Sequence, residues 1–597
     1  MLNERDIAFF LYELLDTESL LKRECYQDHS REVFDATINS AREIAKRYLL
    51  NHYQKGDANE PTLDGDGVRL IPETKIAWDV MRDAGFLRAR ASAEEGGMQL
   101  PEVVVRAMMG HFLAANAGSC GYYFLTLGVI ELIRSFGTED QKHQYLDRLM
   151  DGDFTGTMAL TEPGQGSALA DIRTRAEAQP DGTYRIFGQK MFISAGEHDL
   201  TENIVHMVLA KTRNSGPGVK GISLFLVPKY LLNDDGTLGA RNDVALAGLL
   251  HKMGARNASS TVLSFGENGG AVGYLVGREG QGLACMFQMM NEARIGVGLG
   301  AAAMASMGLQ HSLSYARQRP QGRLPSNRDP ATRQVLLVEH ADVRRMLLAQ
   351  KAYAEGALAL CFYASSLFED ERTHPDPEER HHAGQLLSLL TPIVKSWPSK
   401  YGCHSNDMAI QVLGGSGYIR EFPVEQFYRD QRLNPIHEGT EGIHGLDLLG
   451  RKVSGKGGAA ALAMLREKVE AVVLEAENDS SLADLAKAVS VAFSDLATTT
   501  ETLLPMLARD PDRGLANATL YLDCFGRVVV AWLWLWQALA AARRLATSQH
   551  EDNRNYYMGK LQAARYYIEW DLPQIAPTTK LLREINMVPF DMRNEWF

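Results

Sequence analysis

The feature that most constrains this chain is a change of period that happens twice. Near Phe154 a helical pattern gives way to short β-rich runs separated by turn residues, and from Met286 the helical pattern returns. Tyr184-Arg185-Ile186-Phe187 follows Pro180-Asp181-Gly182, a turn sequence in which proline presets φ and glycine accepts a positive one. Residues 204–209, 222–227 ending at Pro228, and 261–265 before a glycine-rich loop read as further strands. Upstream, Ile44, Ala45, Tyr48 and Leu49 recur at helical spacing, and 103–113 is a second helix with a weak, β-branched start at Val103-Val104-Val105. Gly96-Gly97 and Asn116-Ala117-Gly118 mark breaks. Downstream, Ala301-Ala302-Ala303 and 343–359 are strong helix formers, and the polar segment 323–333 is a loop. Ser454-Gly455-Lys456-Gly457-Gly458 reads as a flexible linker, followed by an Ala/Leu-rich helical remainder. The expected fold is mostly α with an inserted β domain. Its parts are a helical domain over 1–153, a middle β domain over 154–285, a helical domain over 286–452, and an extra C-terminal helical domain over 459–597. A β block inserted between helical blocks predicts a cleft, a common place for a cofactor.

A length of 597 residues accommodates about four such domains. Lys+Arg 62 against Asp+Glu 74 gives a net charge of -12 without a basic block, which argues against nucleic acid as a partner. The six cysteines, at 25, 120, 285, 361, 403 and 524, form no C-x-x-C pair, so no metal site is expected. Their scatter fits a reducing compartment such as a cytoplasm. Residues 1–22 lack the basic start and unbroken apolar run of a signal peptide. The most apolar run, 528–539, is shorter than the roughly 18 residues that raise suspicion of a membrane span. A buried helix is expected there, with a helix lying on a membrane surface as the alternative.

Three segments carry chemistry. Met158-Ala159-Leu160-Thr161-Glu162-Pro163-Gly164-Gln165-Gly166-Ser167 runs a strand into a glycine-rich turn whose hydroxyls and backbone N–H groups can hydrogen-bond a heterocycle or a phosphate. It is not the dinucleotide glycine fingerprint, because no βαβ unit surrounds it. Gly188-Gln189-Lys190-Met191-Phe192-Ile193-Ser194 places an aromatic and a hydroxyl two residues apart, on one face of a strand. Asn434-Pro435-Ile436-His437-Glu438-Gly439-Thr440 sets a carboxylate between a turn and a helix over 441–452, with Thr440 as the N-cap.

Together these segments resemble the acyl-CoA dehydrogenase family. The T-E-P-x-x-G-S flavin loop of that family matches Thr161 to Ser167, and its G-x-K-x-[WF]-I-[TS] strand matches Gly188 to Ser194. Its Q-x-x-G-G-x-G-[YF] signature matches Gln411 to Tyr418, and its catalytic E-G-T matches Glu438-Gly439-Thr440. The match runs in order over about 40–452. The length, the extra domain and an insertion at 322–336 are similar to the roughly 600-residue bacterial branch, which includes medium- and long-chain enzymes and 3-methylmercaptopropionyl-CoA dehydrogenase.

The resemblance implies an FAD enzyme of fatty acid β-oxidation that converts a medium- to long-chain acyl-CoA to a trans-2-enoyl-CoA. Glu438 would remove the α-proton, the flavin would take the β-hydride, and the N–H of Glu438 would help polarise the thioester carbonyl. It assigns Met158, Leu160, Thr161, Phe192, Ile193, Ser194 and Thr440 to the flavin, and Ser167 to both cofactor and CoA. Arg319, Gln321, His340, Gln411, Gly414 and Gly415 go to the dinucleotide, Arg319 and the 411–415 segment reaching that of a neighbouring subunit. Asn291, Arg294 and Gly439 go to substrate, Asn291 replacing the usual Asp. Two more departures, His437 for the common Tyr and Gly442 for a polar flavin contact, flank the base. Some members carry the base directly before the arginine matching Arg294; Ala293 stands there, with Glu292 one residue back. The resemblance further implies an electron-transfer flavoprotein as acceptor, an oxidase passing electrons to oxygen being the alternative. It implies a homodimer, the extra domain covering the surface on which smaller relatives form tetramers.

Overall fold

The computed structural model describes residues 1–65, 67–213 and 216–597, with the side chains of 287–291 left aside. The chain separates into two compact units. The first comprises Met1, residues 34–100 and 111–293; the second comprises 2–33, 101–110 and 294–597.

The first unit is organised on an eight-stranded sheet of β1 (Phe154–Ala159), β2 (Arg175–Ala178), β3 (Tyr184–Ser194), β4 (Asn203–Thr212), β5 (Ile222–Pro228), β6 (Val244–Leu249), β7 (Ser260–Phe265) and β8 (Ala271–Val276). The strand order is β6-β7-β3-β8-β5-β4-β1, with β2 pairing both β3 and β4. Residues of β3 and β7 join Val208, Phe225 and Val227 in one core, which includes Ile186, Ile193, Leu263 and Phe265, the β3–β7 pairing shifting register between Ile193 and Lys190. That core is the physical reason the sheet holds its register, since a slip by one residue would turn this set outward. Strands β4 and β5 are buried along nearly their whole length and read as continuous apolar runs.

The strands expected at 184–187, 204–209, 222–227 and 261–265 are present, each longer than expected, and the one expected to lead into the glycine-rich turn is β1. The helix expected over 103–113 instead runs Glu102–Phe136, and Asn116 interrupts it with φ -163° and ψ 84°. The Asn116 side chain repairs the break: its Nδ2 donates to the Leu49 carbonyl at 3.1 Å and its Oδ1 accepts from the Ser119 N–H at 3.1 Å. The break is real, but the capped chain re-enters the helix at once.

The second unit is helical. Its long members are Ala341–Thr373, Pro377–Leu413, Gly458–Glu477, Ala483–Arg509 and Ala518–Thr547. The middle of Ala518–Thr547, residues 528–536, is apolar on all sides and is clad by its neighbours: Trp532 and Trp534 are buried. The Trp534 Nε1 donates to the Ala352 carbonyl at 3.0 Å, and Tyr363 packs edge-on against Trp532 at 5.2 Å. Gly356 makes this possible, because a Cβ there would lie 2.8 Å from the Trp534 Nε1. Lys560, fully buried, pairs with Glu355 at 2.8 Å and Asp6 at 3.1 Å. Among the described residues two helices, Glu102–Phe136 and Ala518–Thr547, are long and apolar enough to cross a membrane, and both are mostly buried inside the protein.

The segment expected to be a flexible linker is a tight turn. The Gly458 N–H donates to the Gly455 carbonyl at 3.0 Å. A Cβ on Gly455 would sit 2.2 Å from the Arg451 carbonyl oxygen, and one on Gly458 would sit 2.1 Å from that of Val453. The glycines serve close approach of the backbone rather than looseness.

Candidate functional site

In the first unit, the glycine-rich turn is built around a buried ion pair. Lys190, on β3 and fully buried, donates to the Leu160 carbonyl at 2.9 Å and meets the Glu162 carboxylate at 3.0 Å. Glu162 also accepts from the Arg173 N–H at 2.7 Å, the Thr174 N–H at 2.9 Å and the Thr174 hydroxyl at 2.6 Å. The Met191 N–H closes the arrangement on the Thr161 carbonyl at 2.9 Å. Burial pushes the Lys190 ammonium down to about 8. Burial pushes Glu162 up, but Thr174, Lys190 and the backbone donors overrule it and hold the carboxyl below its ordinary value.

This latch fixes Leu160 and Thr161, both half-buried, and leaves Ser167 exposed beyond them. Phe192 and Ser194 are exposed at the end of β3, and Met158 is half-buried. Phe192 stands 63% exposed at φ 60°, an unusual conformation for an aromatic residue outside a turn. The Thr157 hydroxyl donates to the Ser194 carbonyl at 2.6 Å and the Thr261 hydroxyl to that of Ile193 at 3.0 Å. Ile193 turns its side chain into the sheet core, so it offers a ligand only its backbone. A Cβ on Gly164 or Gly166 would meet nothing within 4 Å. The result is an open backbone rim beside an upright aromatic, which fits a flat, hydrogen-bonding ring system.

Glu162→Gln is expected to destabilise the protein by about 3–5 kcal/mol, because it strands the buried Lys190 charge. A melting temperature unchanged from wild type would contradict that role for the pair.

In the second unit, Glu438 and Gly439 are both left-handed, with φ 53° and 97°. A Cβ at Gly439 would lie 2.9 Å from the His444 Nε2, so glycine is required there by contact and by conformation. For Glu438 the same region costs about 1–2 kcal/mol, strain that clusters at working sites. Thr440 caps the helix Glu441–Asp447, its hydroxyl accepting from the Ile443 N–H at 3.4 Å. Burial pushes the Glu438 carboxyl above its ordinary value, against the opposing charges of Arg294 and Lys395. Arg294 is itself buried and paired with Asp447 at 3.2 Å. His437 meets Asn434 at 3.1 Å, and burial drives its imidazole down to about 3, so it is neutral. Gly445 lets the helix lie against the start of Ala518–Thr547, for a Cβ there would come within 2.7 Å of the Ala518 carbonyl carbon.

The remaining dinucleotide candidates gather elsewhere in the same unit. The His340 ring and the Gln321 carbonyl lie 2.7 Å apart, and the Leu337 N–H donates to the Arg319 carbonyl at 2.9 Å. The Tyr315 hydroxyl meets Ser416 at 3.2 Å, tying this segment to the end of the helix Pro377–Leu413 and the turn after it, where Gln411, Gly414 and Gly415 are all exposed. Gly414 adopts φ 59°. Of the predicted substrate residues, the Asn291 side chain lies outside the described residues. Glu292, the other conceivable base, is committed to an ion pair with Arg90 in the first unit. Lys395 and His444 were not expected: His444 lies six residues from Glu438, but Lys395 is 43 residues upstream and only the fold joins them.

Four family models cover most of the chain: acyl-CoA dehydrogenase N-terminal domain over 33–153, middle domain over 157–267, C-terminal domain over 280–453, and acetyl-CoA dehydrogenase C-terminal like over 462–593. A 3-methylmercaptopropionyl-CoA dehydrogenase of Ruegeria pomeroyi is 37% identical over 91% of this chain and 91% of its own. A broad-specificity linear acyl-CoA dehydrogenase of Mycobacterium tuberculosis is 33% identical over 98% and 97%. Among solved structures, an acyl-CoA dehydrogenase complexed with FAD from Bacillus anthracis shares the fold at TM-score 0.74 and 21% identity, covering 93% of this chain and 88% of that one.

Proposed function

We propose, for a chain that belongs to the acyl-CoA dehydrogenase family, that Glu438 is the base that takes the α-proton of a medium- to long-chain fatty acyl-CoA, on the way to a trans-2-enoyl-CoA in β-oxidation. The protein is an oxidoreductase acting on CH–CH groups, with FAD as its cofactor. Bound FAD supplies the acceptor for the hydride lost from the β-carbon.

The observation that carries the reading is the environment of Glu438. An exposed carboxylate, with a pKa of about 4.3, is too weak a base for a thioester α-proton. Here burial raises it, and an acyl chain that displaces more water would raise it further. The left-handed backbone at 438–439 aims the Glu438 side chain and its N–H from one rigid turn. The N–H can then donate to the substrate carbonyl as negative charge develops on it. Leu160, Thr161, Phe192 and Ser194 would hold the flavin ring, the first two through backbone fixed by the Lys190–Glu162 latch. Ser167 in the first unit and Arg294 in the second each match a family position assigned to the CoA arm.

Relatives that align along 91–99% of the chain carry names ranging from butyryl-CoA to broad-specificity linear acyl-CoA and 3-methylmercaptopropionyl-CoA dehydrogenases. The medium-to-long assignment rests on the bacterial branch that shares the C-terminal extension. A rate panel of saturated acyl-CoAs from C4 to C18 is expected to peak between C8 and C16; a maximum at C4 would overturn it. Electrons are expected to pass to an electron-transfer flavoprotein, so oxygen uptake with acyl-CoA alone should be negligible beside turnover with that acceptor.

Arg319, Gln411 and the open glycines 414–415 form an exposed surface suited to a dinucleotide held by a second copy. Light scattering should therefore give the mass of two chains with FAD bound. A single-chain mass with full FAD would contradict the shared site.

A further inference from the structure

The two carbonyls of the left-handed pair at 438–439 are each held by a buried basic side chain. The Lys395 Nζ, from the helix Pro377–Leu413, donates to the Gly439 carbonyl at 2.6 Å. The His444 Nε2 and the Glu438 carbonyl are 3.2 Å apart. Because a carbonyl only accepts, His444 carries its proton on Nε2, and its Nδ1 has no hydrogen-bond partner among the described residues. Both side chains are fully buried.

An unsupported peptide in this conformation would relax toward a less strained one, and the carboxylate would swing with it. A lysine whose only role was to fill space would be a poor choice, since an apolar side chain of similar volume avoids the cost of burying an amine. We infer that Lys395 and His444 act as a two-point clamp that positions the Glu438 carboxylate and N–H for proton abstraction. The inference rests on Glu438 being the base.

The clamp also sets the charge around the base. Arg294 and Lys395 oppose the burial of Glu438, and His437 and His444 are neutral, burial driving each down to about 3. Burial pushes the Lys395 ammonium down to about 7, with Arg294 pushing the same way and Glu438 and Glu441 pulling it up. A protonated Lys395 favours the ionised carboxylate, so removing it lets burial raise the Glu438 value further.

The test compares holoenzymes of wild type, Lys395→Met, Lys395→Arg, His444→Phe and Glu438→Gln by anaerobic flavin reduction with octanoyl-CoA. Lys395→Met is expected to slow reduction about 100-fold, the scale of a misplaced catalytic group. Its octanoyl-CoA Kd should stay within about 3-fold, while its melting temperature falls because the Gly439 carbonyl loses its donor. The midpoint of its rate–pH curve should move upward, and Lys395→Arg should recover part of the rate. His444→Phe, which keeps the ring but loses the donor, should also slow reduction at unchanged Kd, and it carries the test if Lys395→Met does not fold. Reduction by both variants within about 3-fold of wild type, with an unmoved midpoint and an inactive Glu438→Gln, would overturn the clamp. An active Glu438→Gln would instead sink the base assignment and the clamp with it.

Discussion

Deleting residues 459–597 is expected to leave insoluble protein rather than a smaller working enzyme. The extension is not a loose appendage. Trp532 and Trp534 are buried, and each aromatic of that kind removes about 150–250 Å² from water, on the order of 4–6 kcal/mol apiece as an upper bound. On the other side of the contact, Gly356 accommodates Trp534, and Trp397 lies against Gly526. Polar ties are equally specific. The Tyr353 hydroxyl donates to Asp571 at 2.5 Å, the Tyr401 hydroxyl donates to Asp523 at 2.9 Å, and Lys400 pairs with the same Asp523 at 2.9 Å. Deletion would uncover Tyr353, Tyr363, Trp397 and Tyr401 and leave the buried Glu355 without Lys560. The base's own helix would also lose its neighbour at Gly445. The solubility of the truncated chain after expression, read beside flotation of the intact protein with neutral liposomes, checks this. Insoluble truncate and no flotation are expected. A soluble, fully active truncate with an intact protein that floats would replace the structural role with membrane attachment.

Glu438→Gln is expected to abolish turnover by about four orders of magnitude or more while FAD content and acyl-CoA affinity stay near wild type. The substitution keeps the shape of the side chain and removes only its capacity to accept a proton. Stability supplies an independent check, and its sign follows from the raised value. A buried carboxyl with a folded pKa above its unfolded one binds more protons in the folded state between the two values. Its ionisation therefore costs stability as pH rises through that window, and the cost persists above it. A neutral glutamine removes the cost, so at pH 8 the variant should melt at or above the wild-type temperature. For the wild type, flavin reduction should rise with pH through a midpoint above the ordinary carboxylate range.

Much of this was legible in the sequence where chemistry repeats locally. The 184–187 strand follows a proline-glycine turn, and the apolar runs at 204–209 and 222–227 become β4 and β5 because strands buried on both faces need no alternation. Arg175–Ala178, Val244–Leu249 and Ala271–Val276 were not foreseen. The first is short and reads Arg-Ala-Glu-Ala, so its place in the sheet comes from pairing with β3 and β4 rather than from propensity. Glu438 stood out through its motif, as did Phe192 and Ser194. The Lys190–Glu162 latch was visible only as two residues inside separate motifs, 28 apart. Lys395 gave no signal, since a lone lysine in a helical pattern is ordinarily a solvated charge. The glycines at 454–458 misled for a physical reason: glycine serves both loose chain and closest approach, and composition does not distinguish them.

The central claim, that Glu438 takes the substrate proton, is tested most directly by anaerobic stopped-flow mixing of octanoyl-CoA with Glu438→Gln holoenzyme. The flavin absorbance should stay oxidised over a time in which the wild type bleaches completely, although the variant still binds octanoyl-CoA. Bleaching near the wild-type rate would contradict the account, and the proton acceptor would have to be sought elsewhere in the protein.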